Sequence, residues 1–134
     1  MKKPALLLVF LAVVLAACAP RAPDPDRFAA KFFDHGKDAI LDSLRDQKAS
    51  DAQLNDAQNI LARYERTAPG DIAAAIRAHQ KLMMALSSGS DTATLLKLES
   101  ERNPAQLKAL RTIGNMHEEI ATAVGARTWA AATT

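Results

Sequence analysis

The sequence Ala-Ser-Asp-Ala-Gln-Leu, residues 49–54, opens the most clearly marked helix of this 134-residue chain. Ser50 takes the N-cap position and Gln53 the N3 position. The hydroxyl can therefore accept from the N3 amide while the Gln53 side chain returns to the cap. Apolar residues follow at spacings of three and four, which is the period of an amphipathic helix. They are Leu54, Ala57, Ile60, Leu61 and Tyr64. The pattern predicts a helix to about Thr67, ended or kinked by Ala68-Pro69-Gly70.

The segment before this motif predicts a first helix from about Pro25 to Gln47. Phe28, Phe32, Ile40 and Leu44 fall in one broad stripe at helical period, with Phe33 on its flank. A stripe of this kind usually faces a core. The alternative is that Phe28, Phe32 and Phe33 form an exposed surface for a client, a partner or lipid.

Three further helices are predicted after Gly70. Asp71 is expected to cap a third helix, which ends at a turn formed by residues 87–90 (Ser-Ser-Gly-Ser). A short fourth helix is predicted to end near Arg102. Asn103-Pro104 then indicates a new start, with an Asx cap and proline at N1. The final helix carries apolar residues that are expected to face the core, and Gly125 fits its C-terminal cap. Those residues are Leu107, Leu110, Ile113, His117, Ile120 and Val124.

The fold class follows from these patterns and from the composition. Residues that favour strands are scarce, whereas Ala, Leu, Gln, Lys, Arg and Glu dominate. We expect an all-α domain over residues 27–125, either a small bundle or a bent helical hairpin of about four to five amphipathic helices. Residues 126–134 are expected to form a loose tail, in which Trp129 is able to dock.

The first seventeen residues have the pattern of an export signal. Lys2 and Lys3 precede an unbroken apolar run from Ala5 to Ala17, which is too short for a stable membrane span. Removing residues 1–17 takes two of the 17 basic residues and none of the 15 acidic ones, so the remaining chain is formally neutral. Residues 18–26 contain three prolines and are expected to form a semi-rigid spacer.

Leu15-Ala16-Ala17-Cys18 closely resembles the lipobox of bacterial lipoproteins. The resemblance implies that the Cys18 thiol is diacylglycerylated, that the chain is cut before it, and that the new amine is acylated. Ala19 rather than aspartate follows the cysteine, which by the same resemblance implies the inner leaflet of the outer membrane, facing the periplasm. An ordinary signal peptide with a cysteine near its cut is the alternative.

Residues 49–53 resemble the Leu-Thr-x-x-Gln motif of the Spy/CpxP family of periplasmic helical proteins, with Ala49 and Ser50 in place of leucine and threonine. A second copy of the motif is absent near Val124. The resemblance implies a bent helical hairpin, often dimerised, that shields unfolding clients or modulates an envelope-stress sensor. Relatives of that family include periplasmic metal sensors.

A metal-binding alternative rests on His79, Met83 and His117. If the third and last helices face each other, imidazole and thioether groups could converge on Cu(I), or on Zn if a carboxylate joins. Methionine at helical spacing is more often core filler, and no His-x-x-x-His pair is present. No resident cofactor is expected.

No catalytic fingerprint occurs in the sequence, so we expect a protein that works by binding rather than an enzyme. Neutral charge and the lack of a basic patch argue against nucleic acid as a partner. The expected partners are the membrane through the N-terminal lipid, a protein partner or unfolded client, and a second copy in a homodimer. A structural or assembly accessory lipoprotein is a further alternative.

Overall fold

A computed structural model describes residues 24–134, and it is all-helical there, with five helices. The helices are α1 (Pro25–Asp46), α2 (Asp51–Tyr64), α3 (Ala68–Ser87), α4 (Thr92–Val124) and α5 (Ala126–Ala132). This confirms the predicted fold class. No helix between residues 24 and 134 is long and apolar enough to cross a membrane. The export signal and Cys18 lie outside the described residues.

Local sequence signals account for most helix ends. Asp24 caps α1 by accepting from the Asp26 amide, and Pro25 occupies the first turn, so the predicted spacer loses its last residues to the helix. The predicted capping box of Ser50 and Gln53 forms at the start of α2. Gly125 has a φ of 87° and ends α4, in agreement with the sequence pattern.

Helices α2 and α3 follow one another along α1 and run antiparallel to it. Lys37 on α1 bonds Glu65, just after α2, at 3.0 Å, while Asp26 at the start of α1 pairs with Arg77 on α3. The break between α2 and α3 falls at residues 65–67. Asp71 does not cap α3, which was its predicted role, because the helix already begins at Ala68.

Helix α4 runs antiparallel to α2 and α3 along the length of both. Asp71 on α3 accepts a hydrogen bond from Thr112 at 2.7 Å and forms an ion pair with Lys108 at 3.3 Å, while Tyr64 on α2 donates to Glu119 at 2.6 Å. The predicted break at Asn103-Pro104 is therefore wrong, because one helix continues through the proline. Packing of the long α4 against both α2 and α3 offsets the loss of the backbone hydrogen bond that proline cannot make.

Two neighbouring apolar clusters form the core. The larger one joins α1, α2 and α4 and includes the fully buried Leu44, Leu61, Ile120 and Val124. The smaller one brings α1 against α3, where Ala29 and Ala73 are both fully buried. These small side chains allow the two backbones to approach closely.

Residues 126–132 form α5 rather than the predicted loose tail. The helix packs against α1 and α4, and Trp129 docks on the larger cluster, as the sequence predicted for this residue alone. Its ring centroid lies 5.4 Å from that of His117 on α4. Docking of the single large aromatic residue, Trp129, therefore holds this alanine-rich segment against α1 and α4.

Candidate binding surface

The phenylalanines of α1 do not form the exposed surface considered from the sequence. Phe33 is 3% exposed and belongs to the larger core cluster, so its predicted position on the flank of the stripe is wrong. Phe28 and Phe32 are half-buried and pack against the smaller cluster. The buried face of α1 is centred on Ala29, Phe33 and Leu44, because α1 packs against both α2 and α3.

The histidines proposed for a metal site contact different parts of the molecule. His79 on α3 lies close enough to Arg102 for the guanidinium to act on its charge, whereas His117 stacks against Trp129. Arg102 and His117 are fifteen positions apart on α4, which is about 22 Å along a helix. His79, Met83 and His117 therefore do not converge, and the metal site predicted from them is not formed.

The environment of the two imidazoles favours their neutral forms. Burial lowers the pKa of His79, and the positive charge of Arg102 lowers it further. Burial also lowers the pKa of His117. Among residues 24–134, no group of three or more His, Cys, Asp or Glu side chains is arranged to hold a metal ion. Both histidines thus have a place in packing.

A shallow groove between α2 and α4 has mutually bonded polar side chains at its edge. Glu119 accepts from Tyr64 and from Arg63, and the Tyr64 hydrogen bond lowers the pKa of this carboxyl. The same bond raises the pKa of the Tyr64 hydroxyl. Since these groups satisfy one another, we interpret them as a link between the two helices.

The clearest unburied apolar surface lies on the outer side of α4. Leu107 is 53% exposed and Leu110 is 47% exposed, and they are neighbours at a spacing of one turn. Asn103 and Gly114 lie on the same face at helical period, and a Cβ atom built at Gly114 meets nothing within 4 Å. We call this surface, from Asn103 to Gly114, the outer stripe.

A second exposed apolar group lies near the turn between α3 and α4. Met84 is 71% exposed, Leu86 is 51% exposed and Leu96 is 60% exposed. Leu96 shares the face of the outer stripe but is about 16 Å from Leu107 along the helix axis. We call Met84, Leu86 and Leu96 the tip residues.

The sequence patterns missed the outer stripe for one reason. They assigned Leu107 and Leu110 to the core-facing side of a short last helix that started at Pro104. In the continuous α4, the buried positions are Ala109, Met116, Ile120 and Val124, so that Ile120 and Val124 lie in the core as predicted, whereas Leu107 and Leu110 do not. The small Ala109 gave no strong apolar signal, whereas the two leucines gave a misleading one.

Comparisons with known proteins give no family, curated protein or solved structure that matches this chain.

Proposed function

We propose that this protein is a lipid-anchored periplasmic binding protein that holds apolar segments of other polypeptides, as a chaperone or envelope-stress modulator of the Spy/CpxP kind. The observation that carries the proposal is the exposure of Leu107 and Leu110 on the longest helix. Two adjacent leucines at about half exposure give an apolar helix face that a partner segment can cover.

The rest of the domain supports a binding role by supplying a stable scaffold. The outer stripe lies on a helix that is held by α2, α3 and α5, so it stays in place without a partner. On this part of α4, Thr112 donates to Asp71, Lys108 pairs with Asp71, and Ala109 is buried, so that the outer stripe is held facing away from α3. A rigid apolar face loses little conformational freedom when it binds.

The comparison with the Spy/CpxP family rests on the resemblance of residues 49–53 to the family motif, and the lipid anchor rests on the lipobox at Cys18. The capping box that the motif describes is present at the start of α2. The alternative within the same class is an assembly accessory lipoprotein, in which the outer stripe contacts one fixed protein partner. A chaperone binds many different clients, whereas an assembly accessory protein binds one partner. An experiment can distinguish these two alternatives.

Suppression of aggregation by residues 19–134 tests client binding directly, since the core lies within the described part of this segment. A reduced, aggregating client is followed by light scattering over a range of molar ratios. We expect the wild-type domain to slow aggregation and the Leu107→Ser, Leu110→Ser double variant to lose at least half of that effect. Melting curves check that both domains are folded.

The matched control is the Leu107→Met, Leu110→Met variant, which keeps an apolar surface of similar size. It is expected to protect the client as well as the wild type does. If the wild type gave no protection at any molar ratio to the client, the chaperone proposal would be contradicted. Photo-crosslinking from residue 107 in intact cells would then show whether one partner is captured, as the accessory alternative requires.

Lipid anchoring is tested by Cys18→Ser together with labelling by a radioactive fatty acid. The thiol is the only acceptor for the diacylglyceryl group, because Cys18 is the only cysteine of the chain. We expect the variant to remain unlabelled and unprocessed by the lipoprotein peptidase. Label retained on Cys18→Ser would contradict the lipoprotein part of the proposal.

A further inference from the structure

Helix α1 begins partway along α3, so the last part of α3 and the first part of α4 extend beyond it. Asp26 pairs with Arg77, so α1 begins beside the middle of α3. Residues 78–87 of α3 continue past that point for about 15 Å, at 1.5 Å per residue. The N-terminal part of α4 runs back along them, and His79 lies near Arg102. The turn between the two helices therefore projects beyond the start of α1.

The extension lies on the side of the bundle where α1 begins. The chain enters α1 at its N-terminus, and this end of α1 faces the turn between α3 and α4. Five residues, 19–23, separate Cys18 from Asp24. Six residue steps lead from Cys18 to Asp24, and at about 3.1 Å per step an extended chain would reach about 19 Å, which is enough to bring Cys18 to the level of the turn.

The tip residues make the end of this extension apolar on both of its helices. Met84 and Leu86 belong to the last turn of α3 and Leu96 to the second turn of α4, and all three are more than half exposed. The turn itself is polar. Ser88 bonds the Ala85 carbonyl, and Asp91 accepts from the Thr94 amide as the cap of α4. Polar groups at the turn limit how deeply the tip can enter hydrocarbon.

We propose that the tip residues contact the surface of the bilayer that carries the Cys18 lipid, so that the protein touches the membrane at two points. The proposal rests on the lipid anchoring proposed above. It commits to lipid as the partner of Met84, Leu86 and Leu96 and leaves the outer stripe, further along α4, available to polypeptides. The contact is shallow, at the level of the headgroups and the first acyl carbons.

Tryptophan quenching by brominated lipids measures this contact on the mature lipidated protein. The protein is reconstituted in phosphatidylethanolamine–phosphatidylglycerol vesicles that contain phospholipid brominated near the start of one acyl chain. The wild type has a single tryptophan, Trp129, which lies against His117, about 38 Å from Thr92 along α4. Its emission is expected to be unchanged by the brominated lipid.

The test variant carries Leu86→Trp together with Trp129→Phe, and a second variant carries Leu96→Trp with the same change. Both sites are exposed, so the larger side chain can be accommodated without disturbing the core. We expect the brominated lipid to reduce emission at least twofold in each variant. Phospholipid brominated near the end of the chain should quench less, because the contact is shallow.

Flotation with the vesicles separates the two proposals. Protein that floats and is quenched at residues 86 and 96 supports the membrane contact. Protein that floats with no quenching at either site overturns the contact and leaves the lipid anchor standing. Emission that shifts to the blue without quenching also overturns it, since a second copy or another polypeptide then covers the tip. Protein that carries no lipid and does not float overturns both proposals.

Discussion

Gln53 and Val124 lie 71 positions apart and are joined by a hydrogen bond of 2.8 Å, in which the Gln53 side-chain amide donates to the Val124 carbonyl. The oxygen of the same side chain accepts from the Ser50 backbone amide, also at 2.8 Å. One glutamine therefore completes the N-terminus of α2 and binds the C-terminus of α4. A glutamate would serve the first purpose as well, but it has no N–H for the second.

Gln53→Glu is therefore expected to lower the free energy of unfolding by about 1–3 kcal/mol, because a carboxylate would face the Val124 carbonyl. Urea denaturation at pH 7 measures the change. Ser50→Ala is the companion variant, since it removes the hydroxyl cap alone and should cost about 1 kcal/mol. Equal stability of Gln53→Glu and the wild type would show that the bond to Val124 makes no net contribution.

Phe33→Ala should be the most damaging of the three phenylalanine changes on α1. Phe33 is buried in the larger cluster, and its truncation is expected to cost about 3–5 kcal/mol. Phe28→Ala and Phe32→Ala remove half-buried rings and should each cost clearly less. Thermal melts of the three variants rank them. A smaller loss for Phe33→Ala than for Phe32→Ala would contradict the observed orientation of α1.

Pro104→Ala is expected to stabilise the domain. Pro104 lies inside α4, where alanine would restore the missing N–H and relieve the clash with the preceding turn. The intrinsic preference for alanine in a helix interior is about 3 kcal/mol, which sets an upper limit to the gain. Melting temperature and helicity by circular dichroism both report the effect. A loss of stability would indicate that the helix ends before Pro104 in solution, as the sequence pattern predicted.

Stability should fall as the pH drops below about 6.5, the usual pKa of histidine. Because burial lowers the pKa of His79 and of His117 in the folded state, the unfolded state binds more protons over this range. The contribution of these two histidines to the free energy of unfolding is complete above about pH 6.5. It is lost as the pH falls towards the pKa values that they have in the folded state. Carboxylates such as Glu119 act nearer pH 4, so they do not obscure the effect at pH 5.5.

Unfolding free energies at pH 7.5 and pH 5.5 test this expectation. The double variant His79→Gln, His117→Gln should show a smaller difference between the two pH values than the wild type does. Trp129, which lies against His117, provides a second reading by fluorescence. A wild-type stability that stays constant down to pH 5.5 would mean that neither imidazole resists protonation.

The sequence predicted the elements that are determined locally and failed where distant packing decides. The capping box at Ser50, the turn predicted at residues 87–90 and the cap at Gly125 depend on a few neighbouring residues. The structure contains the box and the cap, and the turn lies one residue later, at residues 88–91. Asn103-Pro104 has an equally good local signal for a helix start. It is overridden because α3 packs along the whole of this segment.

Local sequence patterns also could not predict which apolar residues are exposed. Helical periodicity shows that Phe28 and Phe32, or Phe33 and Ala29, can share a face, but it does not show which pair is fully buried. Burial of Ala29 in one cluster with Ala73 of α3, and of Phe33 in the larger cluster, depends on residues of other helices. The same applies to Leu107 and Leu110, which are exposed because Ala109, Met116 and Ile120 are the α4 residues that face the other helices.

The pairing of α4 with both α2 and α3 sets an order of folding. Helices α3 and α4 are joined by a turn of four residues, so their contacts close a very short loop and can form early. Leu44 and Leu61, by contrast, belong to the same cluster as Ile120 and Val124, and Leu61 and Ile120 are 59 positions apart in the sequence. Until α4 is in place, these residues of α1 and α2 lack the side chains that close the cluster. We therefore expect the larger cluster to close only after α3 and α4 have paired.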